Sequence, residues 1–391
     1  MPRLTLYHIW LLHLVLSDCL DTSMSVLGRV PSVELSNGRT LPMLGLGCAN
    51  GVRKDNVKSA LSLGYTSFDT AQAYFWGYHE DEVGDALKES GIERKNVFVQ
   101  TKVEPADLGF ASTMRSFEKS LRRLSVDYLD SILIHKPFCF GNACKSQPEG
   151  TWLDSWHALE KIYESGRVHA IGICDVDEKI LNELLEQKHK PHIIQNWMDP
   201  FHQDTHMRAR CKQEGIQYQA YSTLGTQWKM QGHRESPVLS SPVLNTIARA
   251  HNRSVAQVVM NWAVRHGVSV LPASKSSERQ AANLNSFDFE LTLEDMTAID
   301  ALDGTLSAPR PSAMAIKQMF ENKGMSPAQI VWVNAQGGEV QIGDIAPGAV
   351  LSVSTYDGHT FRYKYNSEVI EEYVVNARKG AQQHHVFGLE L

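Results

Sequence analysis

The sequence predicts a closed (β/α)8 TIM barrel, opened by an N-terminal β-hairpin and followed by a small all-β sandwich. Three observations predict it. Eight short apolar runs alternate with helical patterns between residues 44 and 272. No Gly-x-Gly-x-x-Gly follows the first run, which argues against an open dinucleotide-binding sheet. From residue 330 the hydrophobic period changes from that of helices to two.

The hairpin comes first. Val33-Glu34-Leu35 and Arg39-Thr40-Leu41 flank Asn37-Gly38, a pair that favours a tight primed turn, and the hairpin would close the bottom of the barrel. The strand candidates are 44–48, 67–70, 97–101, 131–134, 170–174, 193–197, 218–222 and 269–272. Helical patterns separate them at 53–63, 81–90, 114–124, 152–165, 178–187, 206–214 and 242–251, with 254–266 in the last pair. Ser254 is a plausible N-cap with Gln257 three residues on, and Gly64 and Gly166 sit where helices should stop. Strands buried on both faces with helical crossovers give a parallel sheet, and eight such units favour closure.

The stretch Ser307-Ala308-Pro309-Arg310-Pro311-Ser312 reads as a linker, and 313–322 as one helix. Period-two runs follow at 330–334, 339–342, 350–355, 359–365 and 369–375, separated by Gly337-Gly338, Pro347-Gly348 and Asp357-Gly358. The organisation expected is therefore an extension over 1–29, a barrel over 30–305, a linker with a short helix over 306–328 and a β-sandwich over 329–391.

The 391 residues are ample for two cores. A net charge of −6 and the lack of a Lys/Arg block give no reason to expect nucleic acid or a membrane surface as partner. The six cysteines are scattered and make no metal-ligand spacing, so no metal site is expected. Cys139 and Cys144 could approach each other in a loop, but the six read as free thiols of a reducing compartment, which suggests a cytoplasmic protein. The apolar run 4–16 after Arg3 loosely resembles a signal segment, but His8 and His13 interrupt it and it is too short to span a bilayer. Residues 1–23 are thus either part of an extension ahead of the barrel or a signal for the secretory pathway.

Chemistry in such a barrel lies at the C-terminal ends of its strands. Asp69 and Tyr74 fall at the end of the second strand and in its loop, Lys102 at the end of the third, and His135 at the end of the fourth. A phenol is a poor acid at neutral pH, and a neighbouring ammonium lowers its pKa. Lys102 would do this to Tyr74, with Asp69 holding the lysine. Tyr74 would protonate a carbonyl oxygen while hydride reaches the carbon, and His135 would orient the same oxygen.

The segments Asp69-Thr70-Ala71-Gln72-Ala73-Tyr74, Thr101-Lys102 and Leu133-Ile134-His135-Lys136-Pro137 resemble those of the aldo-keto reductases, over about residues 30–304. Leu44-Gly45-Leu46-Gly47 and Ala220-Tyr221-Ser222-Thr223-Leu224-Gly225 are similar to further family segments. The resemblance implies reduction of an aldehyde or ketone with NADPH, or NADH. It implies that Gln195 holds the nicotinamide amide, that Tyr221 stacks on the ring, and that Ser222 and Leu224 line the pyrophosphate. Ser274, Arg279 and Asn283 align with positions at the adenosine end. Four departures stand out. Ala273 replaces the family lysine, leaving Arg279 to hold the 2′-phosphate, with Lys275 nearby. Cys174-Asp175 replaces Ser-Asn. Lys136 replaces the common Trp. The loop Phe75-Trp76-Gly77-Tyr78-His79 is longer and more aromatic.

In the C-terminal part, Val331-Trp332-Val333-Asn334, Ala346-Pro347-Gly348 and Thr355-Tyr356-Asp357-Gly358-His359 are similar to the β-domain of the von Hippel–Lindau protein. That resemblance implies a protein or peptide partner. The expected function is an NAD(P)H-dependent oxidoreductase acting on a small carbonyl substrate. The alternative is a nucleotide-binding sensor or scaffold with little turnover, acting through its C-terminal part.

Overall fold

A computed structural model describes residues 30–139, 147–306, 316–333, 338–355, 359–375 and 382–388. The extension over 1–29 and the linker 307–315 lie outside the described residues.

β1 (Ser32–Glu34) and β2 (Thr40–Pro42) pair antiparallel, with Gly38 at φ 78° in the turn that Asn37-Gly38 predicts. Leu35 and Leu41 plug one barrel end, packing with Phe98, Leu133, Ala170 and Ile193. A second, much larger apolar cluster fills the space between sheet and helices.

Eight parallel strands follow: β3 (Leu46–Gly47), β4 (Ser67–Asp69), β5 (Phe98–Val103), β6 (Leu129–Ile134), β7 (Val168–Cys174), β8 (Ile193–Trp197), β9 (Gln217–Tyr221) and β10 (Ser269–Val270). Each pairs with the next in sequence. The ring is completed by a parallel bridge between Leu44 and Val270, with Gly45 N–H donating to Val270 O at 3.0 Å and Val270 N–H to Met43 O at 2.8 Å. This is the (β/α)8 barrel that the alternating pattern predicts.

Helix limits follow local chemistry. Ser254 caps Val255–Arg265 in a capping box with Gln257, and Gly64 at φ 103° ends Lys54–Leu63. Close approaches are made possible by missing side chains. A Cβ on Gly172 of β7 would lie 2.2 Å from Ile193 O, and one on Gly47 of β3 2.6 Å from Leu271 O.

The C-terminal strands form two sheets. One orders β14 (Val350–Thr355), β11 (Ile316–Asn322) and β17 (Gln382–Phe387); the other orders β13 (Glu339–Ile345), β12 (Ala328–Val333), β15 (Thr360–Tyr365) and β16 (Glu368–Val374). They share a core in which Phe320 meets Phe361 at 4.9 Å between ring centroids and Tyr363 meets Phe387 at 3.9 Å. One expectation is corrected here. Ile316–Asn322 is a strand, not the helix read over 313–322, because β14 and β17 satisfy its backbone from either side.

Cys48, Cys174 and Cys211 are free and buried. Cys139 is disulfide-bonded, which corrects the expectation that all six thiols are free. Among the described residues no helix is long and apolar enough to cross a membrane.

Substituting Gly172→Ala would push a methyl into the carbonyl of the neighbouring strand. A loss of about 1–3 kcal/mol is expected, the usual cost of overpacking, read as a lower midpoint in urea unfolding with an unchanged slope.

Candidate active site

Asp69 is the last residue of β4, and Lys102 the fifth of β5, its neighbour in the sheet. The Lys102 ammonium is completely buried and donates to both Asp69 oxygens at 2.6 Å and to Thr70 O at 3.1 Å. Burial alone would lower the lysine's pKa. The facing Asp69 charge, aided by Tyr78 and Cys174, outweighs it and holds the ammonium above its ordinary value. A ring of glutamines steadies the carboxylate. Gln100 donates to Asp69 at 2.6 Å and to Gln219 at 2.7 Å, and Gln195 donates to Gln219 at 2.8 Å.

The loop after β4 decides which tyrosine meets this ion pair. Tyr74–Trp76 forms one 3₁₀ turn, ended by Gly77 at φ 77°. The left-handed glycine reverses the chain, and its N–H donates back to Tyr74 O at 2.9 Å. A Cβ there would meet Gly51 N at 2.8 Å, so the loop also packs tightly on the one after β3. The reversal turns Tyr74 outward and Tyr78 inward. Tyr74 is 37% exposed, donates to Asp81 at 3.0 Å and carries Arg123 over its ring at 4.7 Å. Tyr78 lines the cavity, and Lys102 Nζ lies 5.1 Å from its ring centroid.

The expected place of Tyr74 beside Lys102 is therefore corrected: Tyr78 stands there. The four-residue displacement comes from the extra residues of the loop, which bulge out as the 3₁₀ turn before the chain re-enters. The electrostatics also differ from expectation. Burial pushes the Tyr78 phenol up to about 12, and Lys102 opposes this only in part.

His135 follows β6 and packs edge-on against Tyr78 and Trp76, at 5.5 and 4.6 Å between centroids. Burial, with the charges of Lys102 and Lys136, holds its pKa well below the ordinary histidine value, so the ring is neutral at pH 7. Its Nδ1 is buried without a hydrogen-bond partner. Asp69, Tyr78 and His135 thus share one wall of a cavity of about 310 Å³, with Lys102 directly beneath.

The cavity runs on past Cys174, Gln195 and Tyr221 to Ser222, Thr223 and Leu224, and then to Ser274, Lys275 and Arg279. Ser222, at φ 55°, bends the strand end of β9 into this wall. The expected positions Gln195, Tyr221, Ser222, Leu224, Ser274 and Arg279 all line it. Asn283 does not line it. That residue is buried, and its side chain hydrogen-bonds the Tyr65 phenol. Gln195 faces the cavity with its amide donors already turned to Gln219 and Asp69.

This donor set fits a dinucleotide. An aromatic face at Tyr221 lies near the end that holds Tyr78 and His135, and two cations lie at the other. Between them the buried Thr223 Oγ1 has no hydrogen-bond partner. Among the described residues no group of His, Cys, Asp or Glu is arranged to hold a metal.

Residues 51–304 match the aldo/keto reductase family. The chain belongs to this family. It is 40% identical over 277 residues to the glyoxal reductase of Bacillus subtilis (strain 168), covering 70% of this chain and 92% of that protein. It is 36% identical over 294 residues to the morphine 6-dehydrogenase of Pseudomonas putida, covering 73% and 95%. Among solved structures, the aldo/keto reductase of Brucella melitensis superposes with a TM-score of 0.62 at 33% identity, covering 70% of this chain and all of that one. A Bombyx mori aldo-keto reductase in complex with NADP gives 0.65 at 26% identity, covering 73% and 96%. Against this family background, the site residues that sequence reasoning missed are Tyr78, Gln100 and Gln219. Gln100 and Gln219 were readable as inward positions of β5 and β9, two residues before Lys102 and Tyr221.

The buried neutral His135 makes a pH prediction. Its folded pKa is depressed, so the unfolded chain binds the proton first. Its contribution to stability is complete above about pH 6.5 and is lost as pH falls from there toward the folded value. Thermal midpoints measured from pH 7.5 down to 5 should fall more steeply in the native protein than in His135→Asn.

Proposed function

We propose that this aldo/keto reductase is an NADPH-dependent carbonyl reductase of the EC 1.1.1 type, with Tyr78 in place of Tyr74 as its proton donor. The observation that carries the reading is the Lys102 ammonium 5.1 Å from the Tyr78 ring, beside His135, in a cavity that continues to Lys275 and Arg279. The relatives named glyoxal reductase and morphine 6-dehydrogenase, and the neighbour solved with NADP, agree with it.

Reduced nicotinamide, when bound, supplies the hydride that goes to the carbonyl carbon. The chain's own residues handle the oxygen. With its pKa near 12, Tyr78 is fully protonated at neutral pH and holds its proton until charge develops on the carbonyl oxygen. It then gives that proton to the oxygen, the alcohol forms, and the phenolate left behind faces Lys102. Solvent returns the proton. Neutral His135 donates one N–H to the same oxygen and so fixes its direction without adding a charge. Asp69 touches neither reacting atom. It keeps Lys102 charged and aimed, and is a positioning residue together with Gln100.

At the far end, Arg279 and Lys275 supply the cations for the 2′-phosphate that distinguishes NADPH from NADH. Arg presents a planar fork to a phosphate, so Arg279 carries the preference in spite of Ala273. Among the described residues, the C-terminal sheets contribute none to the lining of this cavity. Their reading as a platform for a protein or peptide rests on the von Hippel–Lindau-like motifs alone; Trp332 packs on His359, 5.1 Å between centroids, as core and turn residues do. We assign the activity to the cytoplasm on the strength of the three free thiols; the disulfide at Cys139 is the observation that favours the secretory pathway.

Tyr78→Phe should lower kcat for aldehyde reduction by about 10²–10⁴, the range for loss of a general acid. NADPH should still quench tryptophan fluorescence in that variant with nearly native affinity. Tyr74→Phe should stay within twofold of the native rate. The reverse ranking of the two variants would return the acid role to Tyr74. Tight NADPH binding without turnover of any aldehyde or ketone would favour the sensor reading.

A further inference from the structure

Lys136 follows His135 directly, and its side chain reaches the same cavity. Its ammonium forms an ion pair with Asp175, the residue after β7, and lies 5.4 Å from the Tyr221 ring centroid. The Tyr221 hydroxyl donates to the other Asp175 oxygen at 2.7 Å. Asp175 sits at φ 54°, a left-handed conformation that Asp tolerates better than most residues, and this turns its backbone toward β8, where its N–H donates to Gln195 O. One carboxylate is thus seated between an ammonium and a phenol at the mouth of the acid–imidazole end.

The other cations of the site are not available there. Lys102 is fully buried and consumed by Asp69. Lys275 and Arg279 stand after β10, at the opposite end. Lys136, with 22% of its side chain exposed, is the ammonium that reaches the open space beside Tyr78 and His135 among the described residues. Burial makes its charged form costly, and a carboxylate beside it offsets that cost. The Asp175 side chain also borders a second recess lined by Asp177, Glu178 and Asp204. His202 and His206 line that recess too, and Glu178 there is paired with Arg210; the ammonium that meets the open cavity is on the Lys136 side.

We infer that Lys136 is a specificity residue that selects carbonyl substrates bearing a carboxylate, and that Asp175 is the internal carboxylate that holds its ammonium until such a substrate arrives. The substrate's carboxylate takes over the ion pair while its aldehyde or ketone faces Tyr78. Asp175 keeps the Tyr221 hydroxyl throughout. This inference rests on the reductase reading and adds the substrate class to it.

The test compares twin substrates in steady-state kinetics with NADPH: 4-carboxybenzaldehyde against its methyl ester, and succinic semialdehyde against butanal. The native protein should prefer at least one acid over its neutral twin in kcat/KM, and the preference should shrink as salt rises. Lys136→Met should reduce that preference at least tenfold, mainly through KM of the acid, and Lys136→Arg should restore most of it. Asp175→Asn, which frees the ammonium, should raise the preference above native and serves if the methionine variant does not fold. Equal kcat/KM for the twins in the native protein, or a preference unchanged in Lys136→Met, overturns the inference while leaving the reductase reading intact. Failure to reduce any of the four compounds, with turnover of other aldehydes or ketones, overturns the inference alone; failure on every aldehyde and ketone overturns the reductase reading as well.

Discussion

The ion pair between Lys102 and Asp69 is the constraint on which the site depends. A charge pair stripped of water is tolerated only when geometry and further hydrogen bonds compensate each ion. Here the carboxylate receives two bonds from the ammonium, one from Gln100 and a longer one from Gln195, and the ammonium finds a third acceptor in Thr70 O. The consequence spreads outward. The same positive charge opposes the rise of Tyr78, opposes the rise of Cys174, and helps keep His135 neutral. Three ionisable groups on three different elements therefore take their protonation state partly from one side chain. The barrel supplies what this needs: adjacent parallel strands about 4.8 Å apart, each ending on the same face.

The second organising element is the chain reversal at Gly77. Its hydrogen bond to Tyr74 O and its contact with Gly51 leave little freedom in the loop between β4 and the helix Glu80–Ser90. That helix begins with Glu80, which is buried, accepts from Thr101 at 2.6 Å and pairs with Arg123. The loop is thus pinned at both ends. Tyr78 is presented by a braced turn, with His135 packed against it and Trp76 against His135.

The barrel was readable because its signal is periodic. Buried parallel strands are nearly continuous apolar runs, and capping residues such as Ser254 and Gly64 mark the helices between them. Asp69, Lys102 and His135 were readable because each stands at a strand end, where backbone position fixes side-chain position. Tyr74 was misplaced because it lies in a loop. Counting residues from Asp69 assumes a loop of family length, and the 3₁₀ turn with Gly77 breaks that count. Gln100 and Gln219 were overlooked because glutamine inside a barrel has no motif, only an alternation. The strand β11 was misread because Lys317, Gln318, Met319 and Glu321 are good helix formers. Pairing with β14 and β17, about thirty and sixty residues away in sequence, overrides that local preference.

The placement of β17 carries a consequence for how the molecule is made. β11 opens the C-terminal part, and β17, its parallel neighbour, comes from the other end of that part, with Phe387 sealing the core against Tyr363. The antiparallel neighbours β12 with β13 and β15 with β16 can form as soon as each pair leaves the ribosome, because their contacts are local. The three-stranded sheet must wait for its last strand, and contacts so distant in sequence form slowly. Until then one flank of β11 stays open. The hydrogen-bonded ring of the barrel closes at Val270 and its cavity is completed by Arg279, both far ahead of Phe387, so the barrel can assemble while the three-stranded sheet still waits for its last strand.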